Sequence, residues 1–225
     1  MMKMIDLKRM LAATALLFGV SHANAALIDF IEMADNTHGE QGYDPLSINI
    51  GGVTMTITGH ATNDDDNQQF AYLDAGNAGL GSCKDITGSA QCDPGSDDNV
   101  TTDEFVRFIF SEDVIIDNLW TNNNHDGGYS DGDLINIAGT DYSAIKGDHS
   151  GGSDLRIDLA GAYATGAGNW FVAANTAFDI TYTNIEFYIS AIDVHAVPEP
   201  TTTALLVFGL GITAFGRKGR RLSLN

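Results

Sequence analysis

The sequence is poor in positive charge, in cysteine and in long apolar runs, and each shortage excludes a class of protein. Lysine and arginine total 11 against 30 aspartate and glutamate residues, a formal net charge of −19. Such a surface repels nucleic acid and anionic lipid, which argues against a nucleic-acid partner. The two cysteines are too few for a thiolate-based metal site. No apolar run reaches the roughly 20 residues of a stable membrane span.

The N-terminal segment has the layout of a secretory signal peptide. Three basic residues lie within the first nine positions, followed by an apolar stretch from Met10 to Val20 and by Ala23-Asn24-Ala25. This order of basic, apolar and small residues predicts a signal peptide over residues 1–25, with Ala26 as the first mature residue. The alternative, a buried N-terminal helix, does not explain the small residues at the place where a signal peptidase cleaves.

The part of the chain between its two ends, residues 26–196, is more acidic than the whole. It keeps four of the basic residues and 28 of the acidic ones, a formal net charge of −24. About 170 residues suit a single domain with a proper core. The charge suits either cation binding or solubility outside the cell, and both interpretations stay open.

Cys83 and Cys92 are the cysteines of the chain. Export places them in an oxidising compartment, and no third cysteine competes for either one. We therefore expect a disulfide, which closes a short loop and contributes roughly 2–3 kcal/mol on a chain-entropy estimate.

The middle domain is predicted to be all-β, an antiparallel β-sandwich or jelly roll. About ten short strand-like runs alternate with turns rich in Gly, Asn and Asp, and no long amphipathic helix is evident. Leu46–Ile50 and Val53–Ile57 both have a period of two, and Gly51-Gly52 between them predicts a hairpin.

Two further predictions concern strand order. Leu27–Met33 alternates well enough to predict a first strand. Phe105–Phe110 and Val114–Trp120 are separated by a short polar turn, and we expect them to be neighbours in the sheet.

The C-terminal segment, residues 197–225, has a distinctive order of parts. Val197-Pro198-Glu199-Pro200 comes first, an apolar run from Ala204 to Phe215 comes next, and an arginine-rich cluster ends the segment. The apolar run predicts a short helix that inserts transiently in the inner membrane, with the basic cluster on the cytoplasmic side.

These residues resemble the PEP-CTERM sorting tail of Gram-negative bacteria, which is also described as an ice-binding-protein C-terminal domain. The resemblance implies recognition by an exosortase-type membrane protease, with cleavage near Val197, Pro198, Glu199 and Pro200. It also implies a place at the cell surface or in the extracellular matrix, and an association with exopolysaccharide and biofilm. The alternative is an ordinary tail anchor.

The middle domain resembles a recurring cargo domain of PEP-CTERM proteins. The resemblance lies in Ala71–Cys83, in Cys92 and in Ser96–Thr101, ahead of a phenylalanine-rich strand. It implies no particular activity.

The acidic loops predict a calcium site, because calcium prefers several carboxylate and amide oxygens. The first candidate ligands are Asn122, Asn124, Asp126 and Asp133, whose spacing is similar to an EF-hand loop but which strands flank. The second candidates are Asp97, Asp98 and Glu104. A solvated turn is the alternative for each group.

The sequence favours a non-enzymatic surface or matrix protein that binds or organises exopolysaccharide. No catalytic motif is recognisable. The alternative is a secreted hydrolase acting on that polysaccharide, because a pair of glycosidase carboxylates could be chosen from so many acids.

Processing at both ends is directly testable by intact mass spectrometry. We expect the exported protein to begin at Ala26 and to lack the segment Arg217–Arg221, because the signal peptide and the sorting tail are both removed. A mature species that retains those basic residues in cells with an active exosortase would contradict the sorting assignment.

Overall fold

A computed structural model describes residues 25–62, 64–125, 127–143, 145–146, 155–157 and 170–197. Most of these residues form β-strands and few are helical, so the predicted all-β class is confirmed. Apart from Ala25 and Val197, the predicted signal peptide and the sorting tail with its short helix lie outside the described residues. The domain boundaries drawn from the sequence therefore stay a prediction.

The described residues contain fifteen strands, one helical turn and one π-helical turn. The helical turn α1 is Phe30–Glu32, and the π-helical turn that comes directly after it is Met33–Thr37. The strands are β1 Ala26–Asp29, β2 Gln41–Tyr43, β3 Leu46–Ile50, β4 Val53–Ala61, β5 Asp64–Asp74, β6 Gly79–Cys83, β7 Glu104–Phe110, β8 Val114–Asn122, β9 Leu134–Ile137, β10 Thr140–Ser143, β11 Ile145–Lys146, β12 Leu155–Ile157, β13 Trp170–Val172, β14 Ala177–Tyr182 and β15 Tyr188–Ala196.

All these strands join one antiparallel sheet that folds over on itself. Its main path runs β10-β9-β14-β7-β4-β5-β6-β15-β8-β12-β11. Strand β3 pairs with β4, β2 with β5, β1 with β15 and β13 with β8. We call the strands from β10 to β4, with β3, the front half, and those from β6 to β11, with β1, β2 and β13, the back half.

Strand β5 connects the two halves. Its first part pairs with β4, from Asp64 opposite Ala61 to Gln69 opposite Gly59, whereas Phe70–Asp74 pairs with β6. One long strand is thus shared by both halves of the sheet. The protein therefore has one continuous folded sheet where a simple sandwich has two separate sheets.

The two halves bury one apolar core between them. The Phe108 ring of the front half lies 6.4 Å from that of Phe30, which is the residue directly after β1. The Trp170 ring of the back half lies 5.3 Å from the Phe178 ring of the front half. All four side chains belong to the same buried cluster. The face-to-face packing expected of a β-sandwich is therefore present.

The predicted hairpin is confirmed. Strands β3 and β4 pair along their facing residues, from Ile50 with Val53 to Leu46 with Ile57. Both turn residues have positive φ, 59° for Gly51 and 104° for Gly52, a conformation that glycine adopts without steric cost.

The predicted pairing of the next two strands is wrong. Strand β7 pairs with β4 and β14, whereas β8 pairs with β15, β12 and β13. The Ser111–Asp113 turn instead carries the chain from the front half to the back half. Both strands have a buried apolar face, and with one strand in each half both faces contribute to the shared core.

The predicted first strand is too long. Strand β1 ends at Asp29, whose carboxylate accepts a hydrogen bond of 2.9 Å from the Glu32 backbone N–H and so caps α1. Phe30, Met33 and Ala34 are all buried, which is a helical spacing rather than a strand spacing.

Glycine at position 81 allows a loop to lie directly on β6. The Asn99 carbonyl accepts a hydrogen bond of 3.2 Å from the Ser82 N–H. A Cβ on Gly81 would lie 2.0 Å from the Asp98 carbonyl oxygen and 2.8 Å from the Asn99 Cα. Backbone atoms occupy the space that a side chain would need, so the loop can sit there only above glycine.

Replacement of this glycine tests the packing of the loop. We expect Gly81→Ala to lower the free energy of unfolding by about 1–3 kcal/mol, since the loop must move away from β6. Gly88→Ala is the matched control, because a Cβ there meets nothing within 4 Å. Equal denaturation midpoints for the two variants would refute this account of the loop.

Candidate functional site

The predicted disulfide is confirmed. The sulfur atoms of Cys83 and Cys92 are 1.99 Å apart and the Cα atoms 5.9 Å apart. Both cysteines are buried with Tyr72, and Phe70 and Ile86 pack against them. The disulfide joins the loop after β6 to the last residue of that strand, in the back half of the sheet.

Residues 97–100 of this loop lie along the end of the back half. The Val100 N–H donates to the Phe187 carbonyl oxygen at 2.8 Å, and Tyr188 opens β15 directly afterwards. The Tyr188 hydroxyl donates to the Asp98 carboxylate at 2.6 Å. The loop between β6 and β7 and the start of β15 are therefore fixed to each other.

Asp74, Asp98, His125 and Tyr188 meet at this end and form what we call the Asp74 cluster. Asp74 ends β5 and is 5% exposed. Its Oδ2 lies 2.9 Å from His125 Nδ1, an ion-pair contact without hydrogen-bond alignment. His125 packs edge-on against the Tyr188 ring, with the ring centroids 5.5 Å apart. The four side chains come from four separate segments of the chain.

Burial raises the pKa of Asp74 to about 7, and the nearby Asp98 carboxylate adds to the rise. His125 and the Tyr188 hydroxyl oppose the rise without cancelling it. The His125 Nε2 also lies 3.2 Å from the Gly76 carbonyl oxygen, so each ring nitrogen faces an acceptor.

Glu104 and its neighbours form a second group, which we call the Glu104 cluster. Glu104 opens β7 and is 5% exposed. The Thr101 N–H donates to its Oε2 at 3.2 Å, and the Thr101 hydroxyl donates to Glu186 at 2.9 Å. Gln69 also hydrogen-bonds to Glu104 and accepts from the Ser82 hydroxyl at 2.7 Å.

Burial is the main reason that the pKa of Glu104 is raised to about 8. The negative charges of Asp97 and Glu186 add to this effect. The pKa of Asp97 is itself raised, also mainly by burial. Glu104 therefore carries its proton at neutral pH, which removes one negative charge from the interior.

The first predicted calcium ligands are only partly available. Asn122 is fully buried and donates to the Ala78 carbonyl oxygen at 2.5 Å and to the Ser190 hydroxyl at 2.8 Å. Its Oδ1 accepts from the Asn124 N–H at 3.0 Å. The structure thus uses Asn122 to hold the end of β8 to its neighbours.

The remaining candidate ligands of the first set have different hydrogen-bond partners. The Asn124 amide donates to the Asn77 carbonyl oxygen at 2.7 Å, and the Asp133 carboxylate accepts from the Ser130 N–H at 2.5 Å. Asp126 lies outside the described residues. The structure brings Asn122 and Asn124 together, and it leaves Asp133 bonded within its own turn.

The second set is divided between the two clusters. Asp98 belongs to the Asp74 cluster, whereas Asp97 lies beside Glu104. Within the described residues, no group of three or more His, Cys, Asp and Glu side chains is arranged to hold a metal ion. Calcium binding stays a prediction.

No local pattern in the sequence points to Asp74, His125, Tyr188 and Glu186 as members of these clusters. His125 stands inside the predicted calcium loop, yet its partner Asp74 is 51 positions earlier in the chain. Only the sheet order, with β5, β6, β15 and β8 as neighbours, brings them together.

Comparison with known families gives a match in the C-terminal segment, which begins where the described residues end. A family model described as the PEP-CTERM protein-sorting motif matches residues 196–221. The chain carries a PEP-CTERM sorting motif. The motif implies export, processing by an exosortase, which is a membrane protein, and a surface or extracellular location.

The rest of the chain has no counterpart in the other comparisons. No curated protein and no solved structure matches it. Among the described residues, no helix is long and apolar enough to cross a membrane. The PEP-CTERM motif therefore identifies how the protein is sorted and leaves the role of the β domain to be argued from its own structure.

The raised pKa of Glu104 predicts how stability changes with pH. Its pKa rises from 4.5 to about 8 on folding, so the stabilisation from the protonated form is fully present below pH 4.5 and is lost as the pH rises through about 8. In Glu104→Gln, which imitates the neutral acid, we expect the melting temperature to fall less between about pH 5 and about pH 9 than in the unmodified protein.

Glu112→Gln is the matched control for this comparison, because Glu112 is exposed. Both variants remove one negative charge, so general repulsion among the acids changes equally in each. Parallel pH profiles for the two variants would show that Glu104 is ionised in the folded protein.

Proposed function

We propose that the β domain is a non-enzymatic module that associates with exopolysaccharide, and that it does so through one outward-facing surface of the back half. This surface, which we call the outer face, comprises side chains of the four adjacent strands β1, β15, β8 and β13. Its members are Leu27, Ile115, Asp117, Asn118, Trp120, Phe171, Asp193 and His195.

The strand register places these side chains in rows. His195 of β15 is opposite Ile115 of β8, which is opposite Phe171 of β13. In the next row, Asp193 is opposite both Leu27 of β1 and Asn118 of β8. Neighbouring strands lie about 4.8 Å apart, so a row of three spans roughly 10 Å, which is enough for a sugar ring.

Exposed apolar side chains are the observation that carries this proposal. Phe171 is 54% exposed and Leu27 is 52% exposed, and they are the large apolar side chains that the described residues leave in solvent. Trp120 is half-buried further along β8, five residues from the Ile115 that is opposite Phe171. An aromatic ring beside polar groups suits a ligand with both an apolar face and hydroxyl groups, as a sugar has.

The polar members of the outer face supply hydrogen-bonding groups. The Asp117 carboxylate lies 2.6 Å from His195 Nδ1, and the Asn118 amide donates to the Asp193 carboxylate at 3.4 Å. Carboxylates held in this way can accept hydrogen bonds from sugar hydroxyls. The formal charge of −24 over residues 26–196 repels a polyanion, so the ligand we propose is a neutral polysaccharide.

One observation favours the alternative of a secreted polysaccharide hydrolase. Glu104, whose raised pKa keeps it protonated, and Glu186 both accept hydrogen bonds from Thr101. A protonated carboxyl close to a second carboxylate is the pairing that glycoside hydrolysis uses. The burial of Glu104 weakens this alternative, because a substrate must reach the acid.

Binding to a neutral exopolysaccharide tests the proposal. We expect Phe171→Ala combined with Trp120→Ala to bind roughly tenfold more weakly by isothermal titration, since about 1.4 kcal/mol of contact is lost. Ser143→Ala, an exposed change on the front half, should bind like the unmodified protein.

The same titration separates the remaining explanations. It is run with millimolar calcium and with sodium at equal ionic strength, so a calcium requirement shows directly. Equal affinity of the double variant and the unmodified protein would exclude the outer face. Release of reducing ends that Glu104→Gln abolishes would instead favour the hydrolase.

A further inference from the structure

The sorting motif starts on the last strand of the sheet, without a linker. Strand β15 ends at Ala196, and the residues matched to the motif begin at that same position. The next residue, Val197, donates its backbone N–H to the Asp113 carbonyl oxygen at 2.8 Å. The first residue of Val197-Pro198-Glu199-Pro200 is therefore still bonded to the folded domain.

Strand β15 is held on both sides as far as Val194, whereas His195 and Ala196 pair with β8 alone. Val194 pairs with Ala26 of β1 on one side and with Ile116 of β8 on the other. Ala196 pairs with Val114, which is fully buried and also pairs with Val172. The backbone of β15 is thus paired with β8 up to its last residue, Ala196.

Asp113 links the end of β15 to a second part of the chain. Its carbonyl oxygen receives the Val197 N–H, while its carboxylate accepts from the Ala174 N–H at 2.7 Å. Asp113 therefore joins the end of β15 to the turn after β13. This junction, formed by Asp113, Val114, Ala174, Ala196 and Val197, closes one end of the back half.

Peptide-binding clefts commonly take their ligand as an extended segment whose backbone bonds to the cleft like an added strand. A segment whose backbone is already bonded within the sheet cannot enter such a cleft until those bonds open. Opening β15 would also uncover buried side chains such as Val194, which is 1% exposed. A protease therefore meets an intact sheet on the N-terminal side of Val197.

We propose that the folded domain itself sets the N-terminal limit of the segment that the sorting protease can bind, so that cleavage falls on the C-terminal side of Val197. The proposal rests on processing by an exosortase and is independent of the polysaccharide role.

Mapping the C-terminus of the processed protein by intact mass tests the limit directly. In a host with an active exosortase, every processed product of the unmodified chain should retain Val197. A ten-residue Gly–Ser insertion between Ala196 and Val197 should speed processing about fivefold or more, because it releases the junction hydrogen bond. Products that end within the insertion should also appear.

Two controls separate this proposal from the sorting assignment. The same insertion between Gly51 and Gly52, an exposed turn far along the chain from the motif, should leave both rate and cleavage position unchanged. Pro198→Ala with Glu199→Ala should block processing if the motif is read at all. Unhindered processing of that variant would contradict the sorting assignment, and the proposal with it.

Two results would overturn the proposal while leaving sorting intact. One is a product of the unmodified chain that ends before Val197. The other is an insertion variant that is processed at the unmodified rate and position, although its motif is still required.

Discussion

Burial of one apolar core by a sheet that folds over on itself is the constraint on which the rest of the structure depends. Because β5 contributes to both halves, the fold has no independent second sheet that could shift against the first. Contacts such as Trp170 with Phe178 join the halves across the core. The long connections consequently lie at the ends of the strands. There the loop between β6 and β7 and the segment after β8 bring together the polar side chains of the Asp74 cluster.

The same constraint explains the unusual state of two acids. A chain with 30 acidic residues can place nearly all of them in water, yet Asp74 and Glu104 remain within the fold. Neither has a Lys or Arg among the groups that shift its pKa, and burial therefore favours the protonated form of each. Structural hydrogen bonds with Thr101 and Gln69 surround Glu104. Glu104 thus acts as a neutral hydrogen-bonding group that holds a loop in place, although the sequence counts it as a charge.

Local patterns predicted local structure well and long-range structure poorly. Alternation together with Gly51-Gly52 was sufficient for the hairpin of β3 and β4, because its register depends on the turn alone. The separation of β7 from β8 could not be predicted, since a short polar turn serves a hairpin and a crossover equally well. The end of β1 at Asp29 was missed because the capping role of that residue depends on the helical turn beside it. The candidate site was only half predicted: the disulfide could be inferred from the cysteine count, whereas Asp74 meets His125 only through sheet order.

The position of β15 between β1 and β8 has a mechanical consequence for a protein held at its C-terminal end. Tension applied at Ala196 along the strand direction is resisted by the neighbouring strands. The backbone hydrogen bonds on both flanks of β15 then share the load, whereas tension across the strands would break them one at a time. Resistance of this kind depends on the rate of unfolding rather than on equilibrium stability. The strand that delivers the sorting signal is therefore also the one best placed to bear a pull.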